Sequence, residues 1–352
     1  MNLLILGGGV FLGAAALQSA WVGGHRVTVF NRGRARTAWP EAVEVLTGDR
    51  STDLGALERR TWDAVIDTCG YVPADVRAST QALRGCGAYL FVSSVSAYAA
   101  RSQVPLTLPL KLSVRETDAL EPATGIAPDD RNLEHYGPQK AACEAEVNRV
   151  FGERALIVRP GLIVGPGDRS GRFSHWPWRM AAGGEMLVPD VPAHEPLQFI
   201  DVRDLGDWML RLLEQGARGA FNGTGPAGGA RIGWDTLLTT CRAEVLSRGL
   251  APAAQMRVSE AFLAKHEVQP WSELPLWLPS AEPEYTGFNR IDLTRATASG
   301  LRTRPLRDTV AAVLDEGLPA PGDKRLAGKL TREKEAQLLA AWAAAAPPAD
   351  VT

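Results

Sequence analysis

Cysteine is scarce in this 352-residue chain: there are four, Cys69, Cys86, Cys143 and Cys241, and no two stand as C-x-x-C. A disulfide scaffold, a zinc ribbon and thioredoxin-like exchange are therefore unsupported. Histidine is scarce too, with five residues and no H-x-H or H-E-x-x-H spacing, so no metal site is expected. Neither sign of charge is in excess. The 38 Lys and Arg against 40 Asp and Glu leave a net charge of −2, whereas a nucleic-acid partner would call for a basic surplus. No apolar run approaches the roughly 20 residues of a membrane span. The apolar opening of the chain is broken by three consecutive glycines and has no charged leader, so neither a membrane partner nor a targeting signal is expected and the chain reads as cytoplasmic. No internal repeat is found. What remains is 45% hydrophobic and 22% charged residues, a globular composition with material for a real core.

Residues 1–6 form a short apolar run that stops at Gly7-Gly8-Gly9, as a buried parallel strand does. Residues 10–21 then turn to helical spacing, with Leu12, Ala16, Leu17 and Trp21 able to share a face, and Gly23-Gly24 stops them. Further strands are predicted at 27–30, 43–46, 64–66, 89–92 and 155–158, with helical segments at 52–60, 74–85 and 138–150. Strand alternating with helix predicts an α/β fold with a doubly wound parallel sheet. Residues 99–131, which hold Pro105, Pro109, Pro122 and Pro128, interrupt it as a long irregular excursion. The expected division is a dinucleotide-binding domain over 1–165 with core continuing into 195–225, a less regular lobe over 166–320, and a C-terminal helix and tail over 321–352, the helix capped by Thr331.

Gly7, Gly8, Gly9 and Gly13 stand where the first strand meets the first helix, the place where such sheets hold a pyrophosphate against backbone N–H groups and a helix N-terminus. The strict G-x-G-x-x-G string is absent, and Val10 occupies the middle of a G-x-x-G-x-x-G reading. Gly7, Gly9, Val10, Phe11, Leu12 and Gly13 are the candidate cofactor loop. After the second strand an acidic residue would bond the ribose hydroxyls of NAD. This chain has Asn31, then Arg32, Arg34 and Arg36, which suit a 2′-phosphate, so NADP is favoured over NAD; a solvated surface turn would also explain them. Asp49 and Arg50, after the third strand, are placed to meet the adenosine end, although a turn-forming Asp would look the same.

Tyr136 and Lys140 make a Y-x-x-x-K pair at the head of a helix, where i, i+4 spacing sets phenol and ammonium side by side. A cation there is expected to lower the phenol's pKa, and such a tyrosine passes a proton to or from a carbonyl or alcohol oxygen. Ser93-Ser94 ends the fifth predicted strand at the carboxyl edge of the sheet, where open α/β sheets place ligands.

The strings Gly7-Gly8-Gly9-Val10-Phe11-Leu12-Gly13, Phe91-Val92-Ser93-Ser94-Val95-Ser96-Ala97-Tyr98, Tyr136-x-x-x-Lys140, Arg159-Pro160-Gly161-Leu162-Ile163-Val164-Gly165-Pro166-Gly167-Asp168 and Gln198-Phe199-Ile200-Asp201-Val202-Arg203-Asp204 occur in this order. The ordered set resembles the extended short-chain dehydrogenase/reductase superfamily, in particular its NAD(P)-dependent epimerase/dehydratase group, over residues 1–320. The resemblance implies a Rossmann domain with a small C-terminal substrate lobe. It makes Ser94 the catalytic hydroxyl, Tyr136 the acid/base and Lys140 its partner and the ribose contact. Pro160 is counted with the cofactor residues. By analogy with the family's helix-pair dimers, a homodimer is the assembly to test for.

Two departures matter. Val10 and the missing acid after the second strand place the chain nearer an atypical branch with a G-G-x-x-F-L-G loop, some of whose members resemble RNA-associated proteins. Sugar dehydratases of the group carry Asp-Glu after the catalytic hydroxyl residue. Val95 and Ser96 stand there instead, which disfavours water elimination. Arg172, His175, Trp176 and Arg179 combine cations with aromatics and, with Ser96, Arg203 and Arg290, are the candidate substrate contacts; Trp271, Trp277 and Phe288 are candidate pocket walls. A Trp-rich packing cluster and a structural histidine would explain the same segment. The function expected is an NAD(P)-dependent oxidoreductase or epimerase of a small hydroxyl- or carbonyl-bearing substrate such as a nucleotide sugar. The alternative is a non-catalytic dinucleotide-sensing or RNA-associated binding protein on the same fold.

Overall fold

The computed structural model describes residues 1–34, 39–99, 113–282, 285 and 287–345. Arg36, Pro105 and Pro109 lie outside these. The chain divides into two compact units. Unit 1 comprises Met1–Ile163, Gln198–Ala230 and Gly287–Thr303, and unit 2 comprises Val164–Leu197, Arg231–Thr286 and Arg304–Thr352. Residues 287–303 group with the first unit, and the helix Arg332–Ala345 with the second.

Unit 1 is built on β1 (Asn2–Leu6), β2 (Arg26–Asn31), β3 (Glu44–Thr47), β4 (Ala64–Asp67), β5 (Ala88–Val92), β6 (Ala155–Pro160) and the strand Gly219–Gly223. They pair in parallel in the order Gly219–Gly223, β6, β5, β4, β1, β2, β3. The order reverses between β1 and β4, which opens a crevice at the carboxyl ends of the strands. β1, β4, β5 and β6 are mostly apolar on both faces and almost wholly buried, as strands covered by helices on each side must be, with Asp67 and Arg159 the buried charges near the ends of β4 and β6. Two apolar clusters lie on the two faces. One holds Ile5, Val29, Ile66 and Leu90 with Trp208 and Met209; the other holds Leu4, Val65 and Phe91 with Val147 and Phe151.

The connecting helices are α1 (Phe11–Val22), α2 (Gly55–Glu58), α3 (Pro73–Ala82) and α4 (Tyr136–Phe151). Residues 52–60, read as helical, form only the single turn α2: Asp49 and its neighbours make a turn first, and Gly55 is a poor helix former. α4 starts two residues earlier than predicted, because the capped turn Leu133–His135 leads straight into it. Of the irregular excursion, Val114 bridges to Ile291 and Tyr98 to Leu120, so its described part is tied into unit 1. Unit 2 contains the strand pairs Glu185–Asp190 with Ala254–Ser259 and Pro196–Leu197 with Ile232–Gly233, and the helices Trp234–Ser247 and Leu306–Asp315. Its C-terminal helix Arg332–Ala345 begins as expected at Thr331, whose Oγ1 accepts the Lys334 N–H.

Candidate active site

At the end of β1 the backbone turns through Gly7 (φ +104°) and Gly8 (φ +67°) into α1. Side chains have no room here. A Cβ on Gly7 would lie 2.6 Å from Thr68 Oγ1, and one on Gly13 would lie 2.6 Å from the Gly8 nitrogen. Val10 takes the extended N-cap position (φ −153°, ψ 153°) and is 43% exposed, so its Cβ is accommodated at the surface. Being aliphatic, it gives the first turn of α1 no side-chain acceptor. A polar cap is what a helix start ordinarily has; its absence leaves first-turn donors and the positive end of the helix dipole for an anion. Phe11 is held at φ +44°, in the left-handed region, at the same turn. Leu12 is buried in the core and anchors the loop from below.

At the end of β2, Asn31 Oδ1 accepts the Gly33 N–H at 2.7 Å and closes a turn that leaves Arg32 and Arg34 exposed. Asp49 caps its own turn. Its bonds from the Ser51 hydroxyl and N–H hold the carboxyl below its usual range, and the charges of Arg32 and Arg34 add to this. The Arg50 guanidinium forks onto Asp67 at 2.8 Å for both bonds and donates to Ser79 Oγ at 2.6 Å inside unit 1, so these donors are engaged within the fold.

Ser94 follows β5 in extended conformation, and its Oγ accepts the Ser96 N–H at 3.0 Å. Tyr136 opens α4, with its ring 6.5 Å from that of Tyr71. Lys140, one turn on and 2% exposed, donates to the carbonyls of Gly70 and Val92 at 2.6 and 2.7 Å, and its ammonium lies 4.3 Å from the centre of the Phe91 ring. The ammonium therefore ties the segment after β4 to the end of β5. Burial pushes the Lys140 pKa down to about 8 and the Tyr136 phenol up to about 12, with Ser94 opposing the latter. The lysine does not lower the phenol as expected: its ammonium is turned to the two carbonyls, and burial sets the direction of the phenol's shift. Both groups hold their protons at neutral pH.

Several roles escaped the sequence reading. Ser93 Oγ donates to Glu144 on α4, and Arg159 forks onto the same carboxylate at 2.9 and 2.6 Å. Thr68 and Cys69 line the back of Gly7. Glu144 could have been found from its place four residues beyond Lys140 on the same helical face.

Within unit 2, Trp176 and Arg179 are corrected to core residues. Trp176 is fully buried and donates to the Pro275 carbonyl, while Arg179 holds Glu335 and the carbonyls of Gly183 and Glu185. His175 sits edge-on to Trp176 at 5.0 Å, and burial brings its pKa down to about 3, so the ring is neutral and grips no anion by charge. Arg172 lies 5.7 Å over Trp271. Trp277, nearly all buried, donates to Glu260 and lines a cavity of about 950 Å³. Within unit 1, Arg203 pairs with Asp201 at 2.7 Å, Arg290 is exposed, and Pro160 is buried at the carboxyl end of β6.

Residues 3–223 match the model of the NAD dependent epimerase/dehydratase family. The 2′-dehydrokanamycin reductase of Streptomyces kanamyceticus is 28% identical over 225 residues, which are 60% of this chain and 58% of that protein. The match thus spans little more than half the length of that relative. The enzyme WbmH of Bordetella bronchiseptica, solved with NAD+, shares 16% identity over 90% of this chain and 99% of its own, with a TM-score of 0.60. UDP-glucuronic acid 4-epimerase from Bacillus cereus, solved with NAD, shares 15% over 90% and 98%, with a TM-score of 0.57. At such identities the two structures share the fold. No described helix is long and apolar enough to cross a membrane, and no described cluster of His, Cys, Asp and Glu could hold a metal ion. The family match covers more than half of the sequence and contains the glycine turn, Ser94, Tyr136 and Lys140: the chain belongs to the NAD dependent epimerase/dehydratase family.

Proposed function

We propose that the protein is an NAD(P)-dependent oxidoreductase that reduces a ketone, or epimerises a carbinol, on a sugar-like substrate. The observation that carries this reading is that Ser94, just past the end of β5, and the Tyr136/Lys140 pair at the head of α4 stand together at the carboxyl edge of the sheet, with Lys140 bonded to the Val92 carbonyl; the glycine turn stands on the same edge. The uncapped first turn of α1 and the glycines that admit no Cβ fit a pyrophosphate. Asn31, Arg32 and Arg34 would hold the adenosine ribose or its 2′-phosphate, and Pro160 the nicotinamide end. The cofactor, when bound, supplies or takes up a hydride.

Everything else falls to the chain's own side chains. Ser94 would orient the substrate oxygen. Tyr136, protonated at neutral pH, would give its proton to that oxygen, which suits the reductive direction. Lys140 would fix the ends of β4 and β5 about the site and present its charge there. The name of the Streptomyces relative, a 2′-dehydrokanamycin reductase, supports the reductive reading; that of the Bacillus neighbour, a UDP-glucuronic acid 4-epimerase, supports a nucleotide sugar as substrate.

The test is turnover on a panel of keto-sugars and nucleotide sugars with NADPH and NADH, wild type against Tyr136→Phe. The variant should bind the reduced cofactor as well as wild type and lose turnover by about 10²- to 10⁴-fold. Equal turnover in the two proteins overturns the mechanism, and binding of cofactor without turnover anywhere in the panel favours the non-catalytic alternative.

A further inference from the structure

Behind Ser94 lies a fully paired polar network within unit 1 that none of the proposed chemistry uses. The Glu144 carboxylate accepts from Ser93 Oγ, from Arg159 Nε at 2.9 Å and from Arg159 Nη2 at 2.6 Å. Arg159 Nη1 donates to Tyr98 OH at 2.9 Å and to the Glu116 carbonyl at 3.0 Å. Tyr98 OH in turn donates to Asn222 Oδ1 at 2.6 Å. Ser93, Glu144, Arg159, Tyr98 and Asn222 are each at most 5% exposed.

The placement of Glu144 gives this pair a use beyond stability. On α4 it stands two turns beyond Tyr136 and one beyond Lys140, on the same face. The residue it grips, Ser93, immediately precedes Ser94, and Ser93 is also pinned through its N–H to the Val158 carbonyl at 2.7 Å. One carboxylate therefore fastens the helix carrying Tyr136 to the strand end carrying Ser94. Arg159, next to Pro160, fastens both to β6. A proton-transfer pair needs its two oxygens held to a fraction of an ångström, and supporting residues locked by their own hydrogen bonds are the means.

We propose that Glu144 and Arg159 are positioning residues for the Ser94–Tyr136 couple, setting the placement of the two hydroxyls relative to each other through Ser93. The inference rests on the reading of that couple as the reactive one. The groups around the phenol are Ser94, Tyr71 and Cys143, and Ser94 is the one that draws its ionisation back toward the ordinary range.

The chain has five tyrosines, so tyrosine labelled with ¹³C at Cζ gives a spectrum assignable by single Tyr→Phe variants. The experiment compares the Tyr136 resonance at pH 8, and the start of its alkaline shift, in wild type, Ser94→Ala, Ser93→Ala and Glu144→Gln. Ser94→Ala should displace the resonance and move the alkaline shift to higher pH. Ser93→Ala and Glu144→Gln should displace it in the same direction by a smaller amount. If Ser94→Ala moves Tyr136 while the other two leave it at the wild-type position and only Tyr98 shifts, the pair is a structural salt bridge and the proposal falls alone. If Ser94→Ala also leaves Tyr136 unmoved, the couple itself is absent and the functional reading falls with it. Should Glu144→Gln fail to fold, Ser93→Ala, which removes one hydroxyl, decides the matter.

Discussion

Arg50 and Asp67 form a two-pronged ion pair, with both bonds at 2.8 Å and the Asp67 side chain wholly buried. Burial alone would raise the Asp67 carboxyl; the charge and hydrogen bonds of Arg50 more than reverse this and hold it below the usual carboxylate range. The Tyr89 hydroxyl donates to the same carboxylate at 2.8 Å. Removing one partner leaves the other charge buried and unmatched, which ordinarily costs about 3–5 kcal/mol. Arg50→Met should therefore lose most of that amount in urea unfolding while leaving the sheet edge chemically intact. Arg50→Met combined with Asp67→Leu should be clearly more stable than Arg50→Met alone. A loss under about 1 kcal/mol in Arg50→Met would show that Arg50 is free for a ligand after all.

Arg50 also shows where the sequence stops being legible. Six of the seven strands of the unit 1 sheet announce themselves by short apolar runs, and the glycine turn by its place after the first of them, because both signals are local. A guanidinium is different: its partner is chosen by the fold. Arg50 finds its carboxylate 17 positions away and Arg179 finds Glu335 156 positions away, and neither separation has a periodicity to betray it. The same applies to Trp176, whose indole N–H meets a carbonyl from a distant segment. Tyr136 and Lys140 were visible as a pair because helical geometry fixes i, i+4 neighbours, yet the direction of the ammonium, toward Gly70 and Val92, depends on β4 and β5 lying side by side. The grouping of residues 287–303 with the first unit has the same character: what holds them is the bridge from Val114 to Ile291 and the Gln198 contacts, not a pattern of their own.

Arg179 and Glu335 give the second prediction, inside unit 2. Both side chains are under 10% exposed, and Glu335 also accepts the Leu187 N–H at 2.9 Å. Burial raises the Glu335 carboxyl above its usual range. A carboxyl with a raised folded pKa binds its proton more tightly folded than unfolded, so this group adds stability at pH below its unfolded value and loses that increment as pH rises through the folded value. Glu335→Gln should flatten that component, and Glu335→Ala should lower stability by about 3 kcal/mol and loosen the helix Arg332–Ala345. Amide hydrogen exchange across 332–345 reads the second effect; unchanged protection there would rule out the pair as the helix's anchor.

Lys140 gives the third. Its pKa of about 8 in the folded chain against 10.5 unfolded means that the unfolded chain binds more protons between these values, so this group's contribution to stability rises with pH across about 8 to 10.5. The size is on the order of 3 kcal/mol. Buried thiols such as Cys143, whose pKa is pushed up to about 12, work in the opposite sense above pH 9, so the comparison must be a difference. The stability of Lys140→Met minus that of wild type should fall steadily from pH 8 to pH 10.5 in parallel chemical melts. A difference independent of pH would mean that Lys140 ionises as it does in water.

Arg32 and Arg34 give the last. Both are exposed beside Asn31, with no carboxylate at the end of β2 to repel a phosphate, although Asp49 is near enough for both charges to lower its pKa. If they grip a 2′-phosphate, each charge-assisted contact contributes about 1.5–3 kcal/mol, or roughly ten-fold or more in affinity. The double variant Arg32→Ala, Arg34→Ala should then weaken NADPH at least ten-fold in a fluorescence titration while changing NADH less than three-fold, and the wild-type preference should shrink as salt is raised. Asp49→Asn should act the other way and tighten NADPH modestly by removing the nearby negative charge. Equal weakening of both cofactors would place the arginines on the shared pyrophosphate, and no weakening of either would return them to the solvated surface turn that the same residues would also make.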